Sequence, residues 1–273
     1  MKSFPAKLLL FGEYTIIVGG AAIALPFWKY SGQWKEELGG PSLAEFYKHL
    51  LGIRGADVSA IETATKTLQY KSSIPLGYGL GSSGSLTAAA YSLFFPDRES
   101  LTLHETKAKL SEIESFFHGQ SSGLDPLTCY YQQPVYFKNN DIRLLDSLVL
   151  PTQLKLLDSK KSRVSKPLIQ QFKLQLENDA AYKTAVAELS NYNERIIAAL
   201  LAKENIAALF KKISTLQYEL FVRMIPAPIR TVWHEGLKTD KYYVKLSGAG
   251  GGGYFLVYEK EVSDTAFDLL EIL

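Results

Sequence analysis

Residues 75 to 84 read Pro-Leu-Gly-Tyr-Gly-Leu-Gly-Ser-Ser-Gly, and an alanine-rich run continues from Ser82 to Phe95. Glycines at 77, 79 and 81 open backbone conformations closed to other residues and let the chain lie close against a ligand. Ser82 and Ser83 then begin a stretch of good helix formers, so a helix is expected over Ser82–Phe95. The unpaired N–H groups and positive dipole end of that helix would face the loop, an arrangement that attracts phosphate oxygens. The serine hydroxyls can bond a phosphate or a magnesium ion.

Three readings compete for this segment. Gly79-Leu-Gly-Ser-Ser-Gly84 matches G-x-G-x-x-G, but a dinucleotide fold places that motif after its first strand and an acid about 20 residues on, at the end of the next strand. Here the loop lies deep in the chain, and Pro96-Asp-Arg-Glu-Ser100 follows the helix with no strand before the next one. A P-loop needs Gly-Lys-Ser/Thr at its end, and none occurs here or in the later glycine run. A phosphate cradle of another kind remains; the bland alternative is a mobile glycine-serine loop before a helix.

Two acids favour the cradle. In the helix expected over Leu103–Phe117, Leu110 precedes Glu114 by four residues and Phe117 follows it by three, so Glu114 lies on the apolar stripe. A carboxylate there is costly without a partner, and a cation is the usual one. Asp125, after Ser121-Ser-Gly-Leu124 and before Pro126, suits the first turn of a short helix. It reads either as a helix cap or as a carboxylate held at a turn and aimed at a substrate hydroxyl. His118, with no second histidine nearby, reads as a packed or hydrogen-bonded residue rather than a metal ligand.

The remaining composition bounds the class. The 273 residues, 47% hydrophobic and 21% charged, describe a globular chain able to form one large domain or two modest ones. A net charge of +2 gives no support to a nucleic-acid or membrane-surface role. The single cysteine, Cys129, excludes an internal disulfide or a cysteine metal cluster. The apolar run Leu8–Phe11 is broken by Gly12-Glu13 and is too short for a signal-peptide core, so a cytoplasmic protein is expected.

Strand, turn and strand are expected over Ala6–Pro26, and a helix over Ser42–Leu51 capped by Ser42. The Thr-rich, β-branched run Val58–Tyr70 reads as a strand. A short helix follows at Pro126–Gln132, with strands at Val135–Phe137, Ile142–Leu150 and Gln153–Leu157. Beyond the basic loop Lys160–Lys166, Pro167–Arg223 reads as helical with breaks at Asn178 and Asn191–Asn193. Strands Tyr242–Leu246 and Tyr254–Tyr258 flank a glycine run, and a closing helix ends the chain. A soft boundary near residue 150 divides 1–150 from 151–273.

Four segments in order now carry a pattern: Ala6-Lys-Leu-Leu-Leu-Phe-Gly-Glu-Tyr14, the Pro75–Ser85 loop, Glu114-Ser-Phe-Phe-His-Gly-Gln-Ser-Ser-Gly-Leu-Asp125, and Lys245-Leu-Ser-Gly-Ala-Gly-Gly-Gly-Gly253. Together they span nearly the whole chain and resemble the GHMP kinases, most closely their mevalonate kinase branch. The resemblance implies an α+β (two-layer α/β) GHMP kinase fold: an N-terminal ribosomal-protein-S5-like domain and a C-terminal ferredoxin-like one, with the active site in the cleft between them. It implies ATP cradled by Pro75, Gly77, Tyr78, Gly79, Leu80, Gly81, Ser82, Ser83, Gly84 and Ser85. Mg2+ would be held by Ser83 and Glu114, Asp125 would act as catalytic base, and Lys7 would pair with it. Glu13, Tyr14, Gly248, Ala249 and Gly250 would lie at the substrate, a small-molecule alcohol, with mevalonate favoured. Phosphomevalonate kinase, homoserine kinase and a non-catalytic nucleotide-binding homologue are the alternatives. A monomer or homodimer is expected. Tyr14 stands where the family has histidine, Gly84 where it has alanine, and the Lys160–Lys166 loop resembles the family's basic Ser/Thr-rich stretch.

Overall fold

In strand β1 (Ser3–Phe11), Ala6, Leu8 and Leu10 turn to one apolar cluster while Phe4 and Leu9 turn to another. A strand apolar on both faces must be covered on both, and this sets the architecture. The computed structural model describes residues 1–37, 43–261 and 269–272. After a 3-10 turn at Thr15–Val18, the 15-residue strand β2 (Ala22–Glu36) runs antiparallel to β1. The far end of β2 pairs with β3 (Leu68–Ser72), and its near end with β4 (Val135–Lys138), which carries β5 (Asp141–Leu144).

Helices α1 (Ala44–Leu51), α2 (Val58–Thr67), α3 (Ser82–Phe94), α4 (Leu103–His118) and α5 (Leu124–Tyr131) belong to this part, and their apolar residues form one cluster with Phe4 and Trp34. The second sheet has the order β7 (Tyr242–Leu246), β8 (Tyr254–Glu259), β6 (Leu154–Asp158), β9 (Leu269–Glu271), all antiparallel. Helices α6 (Ser165–Asn178), α7 (Ala180–Leu201), α8 (Ala207–Leu220) and α9 (Ala227–Thr239) join the strands β6 and β7. The other face of β1 and β2 packs into this part, so a single apolar cluster runs from Ala6 and Phe27 to Trp233 and Leu256.

Several expectations are corrected. Val58–Thr67 is a helix, not a strand. Asp57 caps it by accepting from the Ala60 N–H at 3.0 Å, and Ile61 and Ala64 bury one face at a spacing of three. Its threonines return their hydroxyls to carbonyls one turn back, as Thr63 does to Ser59 at 2.9 Å, which makes the β-branched run compatible with a helix. The strand expected to Leu150 ends at Leu144. Helix α7 runs unbroken through Asn191–Asn193, because Asn193 turns inward and donates to the Ala21 carbonyl at 2.7 Å. Helix α9 was not anticipated; Ile229, Trp233 and Gly236 form its buried stripe. At the C-terminal end Leu269–Glu271 is strand, and the rest of the expected closing helix lies outside the described residues, as does Ser42. Among the described residues no helix is long and apolar enough to cross a membrane.

Candidate active site

The glycine loop ends on Gly81, which caps α3 in a left-handed conformation (φ 68°). The first helical hydrogen bond of α3 is Ser85 N–H to Gly81 O, 2.8 Å, and no side chain caps this end. The N–H groups of Ser82, Ser83 and Gly84 therefore precede the helical ladder and are free for an anion. Strand β1 runs alongside: Lys7 N–H donates to Leu80 O at 2.8 Å, which ties the loop to the sheet.

That tie places the Lys7 ammonium 2.8 Å from Asp125 Oδ2. Lys7 is nearly buried at 7% side-chain exposure, whereas Asp125 keeps 34%. The helix carrying Asp125 meets α3 closely. A methyl on Gly84 would stand 3.0 Å from both the Asp125 carbonyl carbon and the Pro126 nitrogen. Glycine at 84 thus lets the carboxylate sit beside the cradle.

Glu114 is 4% exposed on the inner face of α4. Its Oε1 accepts from the Ser83 hydroxyl at 3.1 Å and its Oε2 from the Ser121 hydroxyl. Burial, reinforced by the neighbouring Asp125 charge, pushes its carboxyl up to about 7. A carboxyl so placed gains from a cation. One carboxylate with flanking hydroxyls suits a hard ion such as magnesium, which completes its shell from substrate phosphates and water. Among the described residues no cluster of three or more His, Cys, Asp or Glu side chains able to hold a metal occurs.

Glu13 and Tyr14 lie where β1 turns back. Glu13 is buried on Lys245, Nζ to Oε1 2.6 Å, with side-chain exposures of 1% and 0%. Lys245 spends its other two donors on the Leu10 and Leu246 carbonyls, at 2.7 and 2.6 Å. Burial raises the Glu13 carboxyl and lowers the Lys245 ammonium. Tyr14 holds a left-handed backbone (φ 61°), strained for a residue with a side chain. Its ring lies between Phe172 and Phe221, at 4.7 and 4.8 Å, and its hydroxyl donates to Ala249 O at 2.7 Å. Ala249 is thus held against Tyr14, Gly250 packs on Met224 and Leu246, and Gly253 lies against Tyr78 of the glycine loop.

Sequence reading missed Arg163. Its guanidinium enters between the two glycine segments, donating from Nη1 to Gly250 O (3.2 Å) and Gly252 O (3.0 Å) and from Nη2 to Ser247 O (3.3 Å). A methyl on Gly79 would stand 1.7 Å from Nη2 and one on Gly248 2.4 Å, so both glycines leave room for this side chain. Burial draws the guanidinium down to about 10, still charged at neutral pH. Arg163 Nε is buried without a hydrogen-bond partner. The basic loop was visible in the sequence; which of its cations turns inward was not. Ser121 was likewise missed, although its place seven residues after Glu114, in a Ser-Ser-Gly turn, is a usable signal.

A helix start with free N–H groups, a lysine–aspartate pair and a buried glutamate on a serine thus converge within one cleft. Residues 43–133 match the GHMP kinases N terminal domain. Over that third of its length the chain is similar to the GHMP kinases. A curated relative, mevalonate kinase of Thermococcus sibiricus, is 24% identical over 303 residues, covering 96% of this chain and 90% of its own. Among solved structures, the mevalonate kinase of Methanococcus jannaschii superposes with a TM-score of 0.64 at 20% identity, covering 94% of this chain and 89% of the other. The phosphomevalonate kinase of Streptococcus pneumoniae superposes at 0.67 with 16% identity, covering 95% and 91%. These GHMP proteins share the fold with this one, and two of the three are named for the same acceptor. The matched domain and the curated mevalonate kinase relatives support a kinase enzyme.

Proposed function

We propose that this chain is a GHMP kinase that uses ATP and magnesium to phosphorylate the primary hydroxyl of mevalonate. The observation that carries the chemistry is the 2.8 Å Lys7–Asp125 pair at the open end of α3. Phosphoryl transfer depends on position and charge neutralisation more than on covalent help. In this reading the free N–H groups of Ser82, Ser83 and Gly84 hold phosphate oxygens, and Ser83 and Glu114 hold the metal ion. Magnesium, when bound, neutralises the phosphoryl oxygens. Asp125 receives the hydroxyl proton as general base, and Lys7 offsets the charge that builds beside it. Glu13 acts indirectly: its pair with Lys245 anchors the strand that leads into the Gly248–Gly253 loop. Tyr14, Gly248, Ala249 and Gly250 wall the acceptor site, which lies between the units 1–150 and 151–273.

The acceptor is argued from the fate of the basic loop. Lys161 and Lys166 are exposed and Lys160 pairs with Asp158, so of these cations Arg163 alone turns into the cleft. One inward guanidinium suits a small alcohol with one anionic group. A substrate that already carries a phosphate asks for more positive charge. An ADP-release assay across mevalonate, phosphomevalonate, homoserine and galactose tests this. The expected result is turnover with mevalonate far above the others; a preference for phosphomevalonate would overturn the acceptor assignment.

A further inference from the structure

His118 ends α4 one turn beyond Glu114, and its exposed ring lies at the mouth of the cradle. Its Nε2 is 3.1 Å from Ser83 Oγ, the hydroxyl that also bonds Glu114 Oε1 at 3.1 Å. Ser83 has one proton to give. While that proton is on Glu114, the contact with His118 holds only if Nε2 carries a hydrogen and donates to the serine oxygen.

This arrangement has a consequence once the cleft is occupied. A cation shared between Ser83 and Glu114 would draw on the same hydroxyl oxygen that His118 engages and weaken it as an acceptor. The imidazole N–H then gains from a stronger acceptor, at the rim of a helix start suited to hold phosphate. We infer that His118 is a nucleotide-binding residue, one that passes its Nε2–H from Ser83 to an oxygen of the outer (β or γ) phosphoryl groups of the bound nucleotide. The inference rests on the proposed phosphate site at α3 and adds a residue to it. Ser83 acts as a placeholder: it fixes the ring, and the tautomer that donates, before the ligand arrives. Such pre-orientation lowers the ordering cost of the new bond. Donation to an anion is also stronger than donation to a hydroxyl.

The test is equilibrium binding, which needs no turnover. The wild-type protein, His118→Ala, His118→Phe and His118→Gln are titrated calorimetrically with the non-hydrolysable ATP analogue AMPPNP and magnesium, and separately with AMP. His118→Ala and His118→Phe, which lack the N–H, are expected to weaken AMPPNP by roughly tenfold. His118→Gln, which can place an amide N–H near the same point, should recover most of that. AMP, which lacks the outer phosphates, should bind all four proteins alike. A merely structural role would not be rescued by glutamine and would weaken AMP in parallel. The exposed, helix-terminal position makes folding robust to all three changes, and a melting curve for each variant checks it. AMPPNP affinities within twofold across the four proteins, or equal losses for AMP, would overturn the role of His118. No AMPPNP binding by the wild-type protein would overturn the phosphate site itself, and the role of His118 with it.

Discussion

Two lysine–carboxylate pairs flank the same strand and do opposite things. Lys245 and Glu13 are sealed at 0% and 1% exposure, and every proton of the ammonium is spent on a protein acceptor. Lys7 and Asp125 have a similar contact, 2.8 Å against 2.6 Å, but the carboxylate keeps a third of its surface. Desolvation pushes both members of the sealed pair away from their charged forms, so each depends on the other. In the open pair Asp125 has lone pairs to offer an incoming hydroxyl. The contact chemistry is the same; access to solvent separates a sealed brace from a carboxylate open to a ligand.

The comparison breaks most visibly by removing one charge from each pair. Asp125→Asn keeps the shape and removes the proposed base, so turnover should fall by roughly 10²–10⁴-fold with the melting temperature nearly unchanged. Near-normal turnover in a steady-state assay would remove Asp125 from the mechanism. Lys245→Met should do the reverse. It strands a buried carboxylate and should cost about 3–5 kcal/mol of stability by urea denaturation, while Glu13→Leu/Lys245→Met recovers most of the loss. A single variant as stable as the wild type would show that the sealed pair is not the brace described here.

A third carboxylate, Glu114, lies between these extremes: it is buried, yet bonded to hydroxyls rather than to a lysine. Its pKa in the fold, about 7, lies above its ordinary 4.5. A raised acid stabilises the fold fully below its unfolded value and loses that contribution as pH rises through the folded one. The ligand-free protein should therefore lose stability between about pH 4.5 and 7, and Glu114→Gln should flatten that decline. Magnesium needs the ionised form, so its apparent affinity should climb by up to roughly tenfold per pH unit below 7 and level off above. Calorimetric titration at several pH values reads this; a flat profile would count against Glu114 as a ligand.

What was legible in the sequence follows from how local each feature is. The α3 start, the position of Glu114 on an apolar stripe and the turn before Asp125 are written in short spacings. Helix α2 was misread because β-branching speaks for strand, while its capping aspartate and the hydroxyl bonds of its threonines speak more quietly. Arg163 was out of reach for a different reason. Its place is set by the cleft left between Gly79 and Gly248, residues 169 positions apart in the chain, and no local pattern reports such a gap. The Glu13–Lys245 pair is likewise a product of long-range packing, with partners 232 residues apart.

The smallest expected effect tests how the open pair is placed. Gly84→Ala should gain about 1 kcal/mol of helix propensity in α3. Against that, the added methyl would meet backbone atoms of Asp125 and Pro126 at 3.0 Å, and backbone cannot rotate away. The two terms oppose, so the melting temperature should move little. The start of α5 must still shift outward by a few tenths of an ångström, carrying Asp125 from Lys7 and from the helix mouth. Catalysis is far more sensitive to such a shift than stability is, so turnover should drop by roughly threefold to tenfold with the KM for ATP held. The sealed pair, remote from this contact, supplies the control: its brace is untouched, and urea denaturation should give the wild-type slope. If Gly84→Ala turns over at the wild-type rate, the carboxylate has more slack than the close approach of α3 and α5 implies.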